Sequence, residues 1–146
     1  MLRGNHIARM DDKGRLKVPA QFRRYVTEKY GVSLYITSLT GHCAHLYPLP
    51  EWETIEERLA LLPSFEQVKR KFLDHANYYG QEADFDNQGR VLLPALLRKK
   101  AGLYGDVAVL GYLNYLEVWD LERFEQRLAD GPFTAADEAA LTGLGI

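Results

Sequence analysis

Two aspartate–arginine pairs carry the chemistry that this sequence makes legible. Asp11 and Arg15 stand four residues apart around Gly14, and Asp86 and Arg90 stand four apart around Gly89. A glycine in a tight turn supplies φ > 0 without steric cost, so the aspartate falls on the far side of the turn from the arginine. Carboxylate and guanidinium then meet across the turn's base, which holds the guanidinium at a fixed angle. A guanidinium fork fixed in this way matches guanine O6 and N7 in a major groove. On this reading Arg15 with Lys13, and Arg90 with Gln88, face base edges, while Arg3, Lys17, Arg23 and Arg24 neutralise phosphates. Asp11 and Asp86 would be repelled by phosphate and serve orientation instead. The alternative is that each pair only braces a hairpin and that the flanking bases are solvated surface.

The pairs belong to a longer repeat. Residues 11–23, DDKGRLKVPAQFR, return as residues 86–98, DNQGRVLLPALLR, with a constant offset of 75. Asp, Gly, Arg, Pro, Ala and Arg recur, and the apolar positions Leu16, Val18 and Phe22 return as Val91, Leu93 and Leu97, so the chain contains an internal duplication. Each unit decodes as turn, short strand and helix. Arg15 to Val18 alternate polar and apolar, and Pro19 or Pro94 stops the strand and suits the first helical turn.

Around these units the spacing predicts a strand over 6–10 with Ile7 and Met10 inward, and a helix over 19–30 on Phe22, Val26 and Tyr30. Strands follow at 32–37 and 43–47. A helix opened by Pro48 and Pro50 places Trp52, Ile55, Leu59 and Leu62 on one face and stops at Pro63. A helix over 64–79, with Ser64 and Gln67 as capping box, places Phe65, Val68, Phe72, Ala76 and Tyr79 on another. In the second half, strands are expected at 81–85, 90–93, 107–110 and 115–119. Helices run from Pro94 to Gly102 and from the cap Asp120, with Leu121, Phe124 and Leu128 inward. The resulting division is a first half at 1–62, a connecting helix at 63–80, a second half at 81–129, and a tail at 130–146 that frays or forms a loose helix. A unit of about 50 residues struggles to bury a core alone. The halves therefore intertwine as a pseudo-twofold pair around one β core, with both turns projecting from the same end.

Charge and composition narrow the function. The net charge is −2, which by itself argues against nucleic acid, but residues 1–30 carry eight Lys or Arg against three Asp or Glu, +5, and residues 78–146 carry six against eleven, −5. Such a chain can present one basic face. No apolar run is long enough to span a membrane, the N-terminus lacks a signal-peptide core, and Cys43 is alone, which fits a reducing, cytoplasmic compartment. His42, Cys43 and His45 invite a metal reading. The sequence shows no second ligand pair at recognised spacing, and consecutive strand residues point to opposite faces, so they are expected to be plain strand residues and no metal or cofactor is expected. No P-loop, G-x-S-x-G or H-E-x-x-H occurs, and no enzymatic activity or small-molecule substrate is expected.

Together, RGN at 3–5, both D-x-x-G-R boxes with their trailing prolines, CAHLYPLPEW at 43–52 and G-x-x-N-x-x-E-V-W at 111–119 resemble the MraZ family over roughly residues 1–129. The resemblance implies an α+β fold: an internally duplicated, swapped-hairpin, β-barrel-like core of the SpoVT/AbrB-like class with flanking helices. It also implies a nucleoid-associated transcriptional regulator, assembled into ring-like homo-oligomers, that binds short G-rich direct repeats in the promoter of the division and cell-wall gene cluster. Its D-x-x-x-R signature falls on Asp11 with Arg15 and on Asp86 with Arg90. A competing class is an antitoxin-like protein-interaction module of the same fold, which would carry a disordered acidic tail. The Ala-, Gly- and Leu-rich tail of this chain disfavours it.

Overall fold

A computed structural model describes residues 1–146. Eight strands and six helices form a mixed α+β fold. In chain order these are β1 (Asn5–Arg9), β2 (Arg15–Lys17), α1 (Ala20–Tyr30), β3 (Ser33–Thr37), β4 (Ala44–Pro48), α2 (Leu49–Ala60), α3 (Gln67–Tyr78), β5 (Gln81–Asp84), β6 (Arg90–Leu92), α4 (Ala95–Ala101), β7 (Asp106–Gly111), β8 (Leu116–Asp120), α5 (Leu121–Asp130) and α6 (Ala135–Gly143).

The duplication governs the topology. Six strands pair antiparallel in the order β1-β7-β8-β4-β3-β5, and β2 pairs antiparallel with β6 in a separate two-stranded ribbon. Exchanging the repeats reverses the six-strand order onto itself, so a pseudo-twofold passes between β4 and β8. The edge strands are traded between halves: β1 lies on β7 of the second repeat, and β5 lies on β3 of the first. Each edge strand then runs through its turn into the ribbon. The ribbon therefore closes over the inner face of the sheet.

Period-2 alternation fills the space between. Leu34 and Ile36 of β3, Leu46 of β4, Val107 and Val109 of β7, and Leu116 and Val118 of β8 point inward to meet Leu16 and Val91 of the ribbon. Phe22 and Val26 of α1 and Leu97 and Ala101 of α4 complete one cluster of 20 buried residues shared by both halves. No half could bury this set alone. The outer face of the sheet carries a second, aromatic layer. Trp52 of α2 stacks on Tyr35 at 4.6 Å and on Phe72 of α3 at 6.1 Å. Ala76 of α3 approaches β3 closely, its carbonyl accepting from Thr37 Oγ1 at 2.6 Å and Tyr35 at 3.1 Å. Gly80 permits that approach, since a Cβ there would meet the Tyr35 hydroxyl and the Ala76 carbonyl.

Several elements differ from the sequence expectation. Ile7 points to solvent at 53% exposure, because Ala8 and Met10 take the inward positions of its strand. α3 begins at Gln67 with Glu66 at its N-cap and no side-chain cap, so the capping box at Ser64 does not form. Phe65 consequently precedes the helix and is exposed, as are Leu62 and Val68. Leu128 is exposed, while Phe124 and Arg127 of α5 pack against Trp119. The tail forms a helix, α6, whose side chains are almost all exposed. Thr134 and Asp137 form a reciprocal capping box that starts α6. No helix is long and apolar enough to cross a membrane.

Candidate nucleic-acid interface

Both turns are built the same way, bond for bond. Asp11 Oδ1 accepts from the backbone N–H of Lys13 at 2.9 Å and of Arg15 at 2.8 Å, and Oδ2 accepts from Arg15 Nε at 2.7 Å. In the second turn Asp86 Oδ1 accepts from Gln88 and Arg90 N–H at 2.9 and 2.8 Å, and Oδ2 from Arg90 Nε at 2.8 Å. Gly14 at φ +81° and Gly89 at φ +74° supply the left-handed residue that each turn needs. Because the carboxylate takes Nε, the two terminal guanidinium nitrogens make no hydrogen bond within the chain and remain available to a ligand. The aspartates spend their acceptors on the turn itself.

The hydrogen bonds from Arg15 and Arg90 hold the two carboxyls below the ordinary aspartate value of 3.8, the backbone N–H contributing most. A carboxyl whose pKa is lowered by folding stabilises the fold above its unfolded value and loses that contribution as pH falls through the folded one. Both turns should therefore keep their geometry down to pH 3.8 and open only below it. Carbon-13 titration of the two carboxyls checks this: midpoints under 3.8 are expected, and midpoints at or above it contradict the hydrogen-bonding pattern.

The ribbon brings the two arginines together. Arg15 pairs with Leu92, Leu16 with Val91, and Lys17 with Arg90. Leu16 and Val91 are buried, so Arg15, Lys17, Arg90 and Leu92 share the outward face. The turns lie at opposite ends of this ribbon, about 10 Å apart for three residues of strand, rather than side by side. Lys13 and Gln88 sit at the exposed tips. The ribbon is unequal, because exposed Leu92 occupies the position that Lys17 holds in the first repeat.

Each turn is backed by an arginine from the other repeat. Arg98 of α4 packs over Gly14, with its Nε donating to the Leu93 carbonyl at 3.0 Å, and Arg23 of α1 packs over Gly89. Arg98 also lines a cleft of about 590 Å³ with Arg9, Asp11, Asp12 and Tyr104. Sequence reasoning put Arg23 at the phosphates but missed its repeat mate Arg98. The constant offset of 75 was the signal that could have found it. Arg24 sits one residue on in α1 and is exposed. Arg3 is not part of this surface. It precedes β1, beside the Leu2–Leu113 bridge, at the end of that strand away from the turn.

His45 is not isolated either. Cys43, His45 and Glu117 lie together on the outer face of the sheet, where β4 meets β8, far from the basic ribbon's outward side.

Comparison with known proteins places the whole chain. The family model described as "MraZ protein, putative antitoxin-like" matches residues 1–75 and 80–143. A protein of Acidobacterium capsulatum named "Transcriptional regulator MraZ" is 51% identical over 146 residues, covering all of both chains. A namesake in Koribacter versatilis is 50% identical over 147 residues, again covering both chains completely, and one in Limosilactobacillus fermentum is 41% identical over 85% of this chain and 84% of its own length. The likeness therefore extends through the tail, beyond the residue-129 limit that the motifs alone suggested.

Proposed function

The chain belongs to the MraZ family, and from that premise we propose that it is a sequence-specific DNA-binding transcriptional regulator. Its outward ribbon reads short G-rich direct repeats in the promoter of the division and cell-wall gene cluster. The observation that carries this reading is the shared face of Arg15 and Arg90, each locked through Nε by an aspartate with its terminal nitrogens free. An arginine presented in that way offers the two parallel donors that guanine O6 and N7 accept. Lys13, Lys17, Gln88, Arg23, Arg24 and Arg98 surround it with phosphate and backbone donors; Arg3 would contribute only to DNA that extends past the ribbon.

On the same reading the traded edge strands are those of a swapped-hairpin, SpoVT/AbrB-like core, with halves at 1–62 and 81–129 joined by 63–80. Leu61, Leu62, Phe65 and Val68, exposed at the α2–α3 junction, supply an apolar ridge through which copies join into a ring. An antitoxin-like module would instead use its tail. Here that tail is a capped helix, which disfavours the alternative.

Footprinting of the upstream region tests the proposal: repeated short protections centred on guanines are expected, and uniform, sequence-independent protection would refute it. Salt dependence tests the unequal halves. Each lysine–phosphate contact contributes about 0.9 to the slope of log K against log salt. Replacing Lys13 and Lys17 with Gln should flatten the slope by about 1.8 per subunit engaged, and Arg90→Ala, at a residue assigned to guanine rather than phosphate, should flatten it less. Equal slopes for the two variants would remove the case for asymmetry.

A further inference from the structure

Cys43 and His45 are two residues apart, so they project from the same side of β4 and its lead-in. Glu117 pairs with His45 directly across the β4–β8 register. The result is a cluster of sulfur, nitrogen and oxygen donors whose ligating atoms all lie within 4.8 Å of one another. Cys43 Sγ is 3.8 Å from Glu117 Oε1, and His45 Nε2 is 3.5 Å from Glu117 Oε2. Zinc-type bonds of 2.0–2.3 Å at tetrahedral angles imply ligand–ligand edges of about 3.3–3.7 Å. These two separations fall at or near that range; they end on different oxygens of Glu117, and all three donors lie within 4.8 Å, so side-chain rotation without any shift of the strands draws the set together.

The charges in the cluster are unbalanced. Trp119 Nε1 donates to Glu117 Oε1 at 2.9 Å and the Tyr115 hydroxyl donates to Oε2 at 3.1 Å. With both oxygens accepting, the group is arranged as a carboxylate, and its side chain is only 12% exposed. No Lys or Arg pairs with it. Arg127 stacks on the Trp119 ring at 5.1 Å instead. His45 stands beside it, with Nε2 3.5 Å from Oε2. Its Nδ1 is buried with no partner at all. A buried carboxylate without a counter-charge, next to an underused imidazole and a thiol, is costly in a fold that otherwise satisfies its polar groups.

We infer that Cys43, His45 and Glu117 are the protein ligands of one thiophilic divalent cation of the zinc class. One thiolate, one carboxylate and a neutral imidazole bring the sum with a dication to zero. The donor set excludes magnesium and calcium, which prefer all-oxygen shells, and three protein ligands leave a fourth position for water. In the free protein the Cys43 thiol donates to Glu117 Oε1 and so carries its proton. Binding breaks the S–H bond, forms the metal–sulfur bond and releases one proton to solvent. Trp119 and Tyr115 orient the carboxylate from outside, as partners of metal ligands generally do. The site straddles the seam between the two repeats, where β4 and β8 share only the Ala44–Leu46 register. It therefore acts as a clip holding the halves together. This inference stands independently of what the ribbon reads.

Cobalt(II) is the probe. Cys43 is the only cysteine in the chain, so a thiolate-to-cobalt charge-transfer band can arise from that residue alone. Titrating the full-length protein should give that band together with the visible bands of a tetrahedral site, saturating at one cobalt per chain and displaced by zinc. Cys43→Ser should lose the charge-transfer band, and His45→Gln should weaken binding at least tenfold. Zinc should raise the melting temperature of the wild type but not of Cys43→Ser. Absence of the band in the wild-type protein overturns the inference without reference to any variant. Cobalt binding without it, through exposed histidines such as His42, overturns it as well.

Discussion

Arg15→Ala is expected to abolish recognition of the operator while leaving the fold intact. A bidentate arginine–guanine pair is worth about 1–3 kcal/mol of discrimination, or roughly 5- to 150-fold per contact. In an assembly that engages several repeats the loss is incurred at each of them. The side chain lies on the outward face of the ribbon, 29% exposed and held against Asp11, and is not among the buried core residues, which the ribbon supplies through Leu16 and Val91. Its removal therefore costs the turn one hydrogen bond to Asp11, while the two backbone bonds to the same carboxylate persist. Asp11→Asn should give a smaller defect. The amide keeps an acceptor for the backbone but no longer fixes the guanidinium by charge. If Arg15→Ala protects the same sites with wild-type affinity, the ribbon is not the reading surface. If binding disappears only because the far-ultraviolet circular dichroism collapses, the arginine is a brace.

The second large effect concerns repeat number. One subunit offers two turns on a chain of net charge −2, and Leu92 leaves one side of its ribbon without a cation. Phosphate neutralisation on that scale supports only weak association. Linking several such surfaces raises avidity by about 10²–10⁴ without any new contact. Operators carrying four repeats spaced near one helical turn, about 10 base pairs, should accordingly bind far tighter than a single repeat. Phe65→Asp, placed on the exposed α2–α3 ridge, should prevent the proposed assembly of copies and cancel most of that gain. Sedimentation equilibrium beside titrations with one, two and four repeats reads both. A monomer that binds one repeat as tightly as four would contradict the assembly.

Much of this was legible in the residues because the chain says it twice. The repeated Asp, Gly, Arg and Pro specify turn, strand and helix from local physics alone, and the two turns agree to within 0.1 Å in their side-chain hydrogen bonds. Local rules reach no further than that. Which strand lies beside which is a non-local choice, so nothing near Asn5 announces that β1 will pair with β7 of the other repeat. The same limit hid the cluster at the seam, since Glu117 reaches His45 only through a register 72 residues away in sequence. It also misplaced the two turns, which antiparallel pairing sends to opposite ends of the ribbon. Ile7 and Phe65 show the converse error. Their hydrophobicity suggested burial, but strand phase turns one outward and a late helix start strands the other.

Whether Arg15 and Arg90 read guanine in the major groove is tested most directly from the DNA side. Operator duplexes are synthesised with deazaguanine, which lacks the N7 acceptor, in place of guanine in the repeats, and their affinities are measured for wild type, Arg15→Ala and the Arg15→Ala/Arg90→Ala double variant. The wild type should lose affinity on the altered operator, though by less than the arginine substitutions cost on the natural one because O6 still accepts, and the double variant should bind both duplexes alike. Equal wild-type affinity for natural and altered operators, or a double variant that still discriminates between them, would contradict the account.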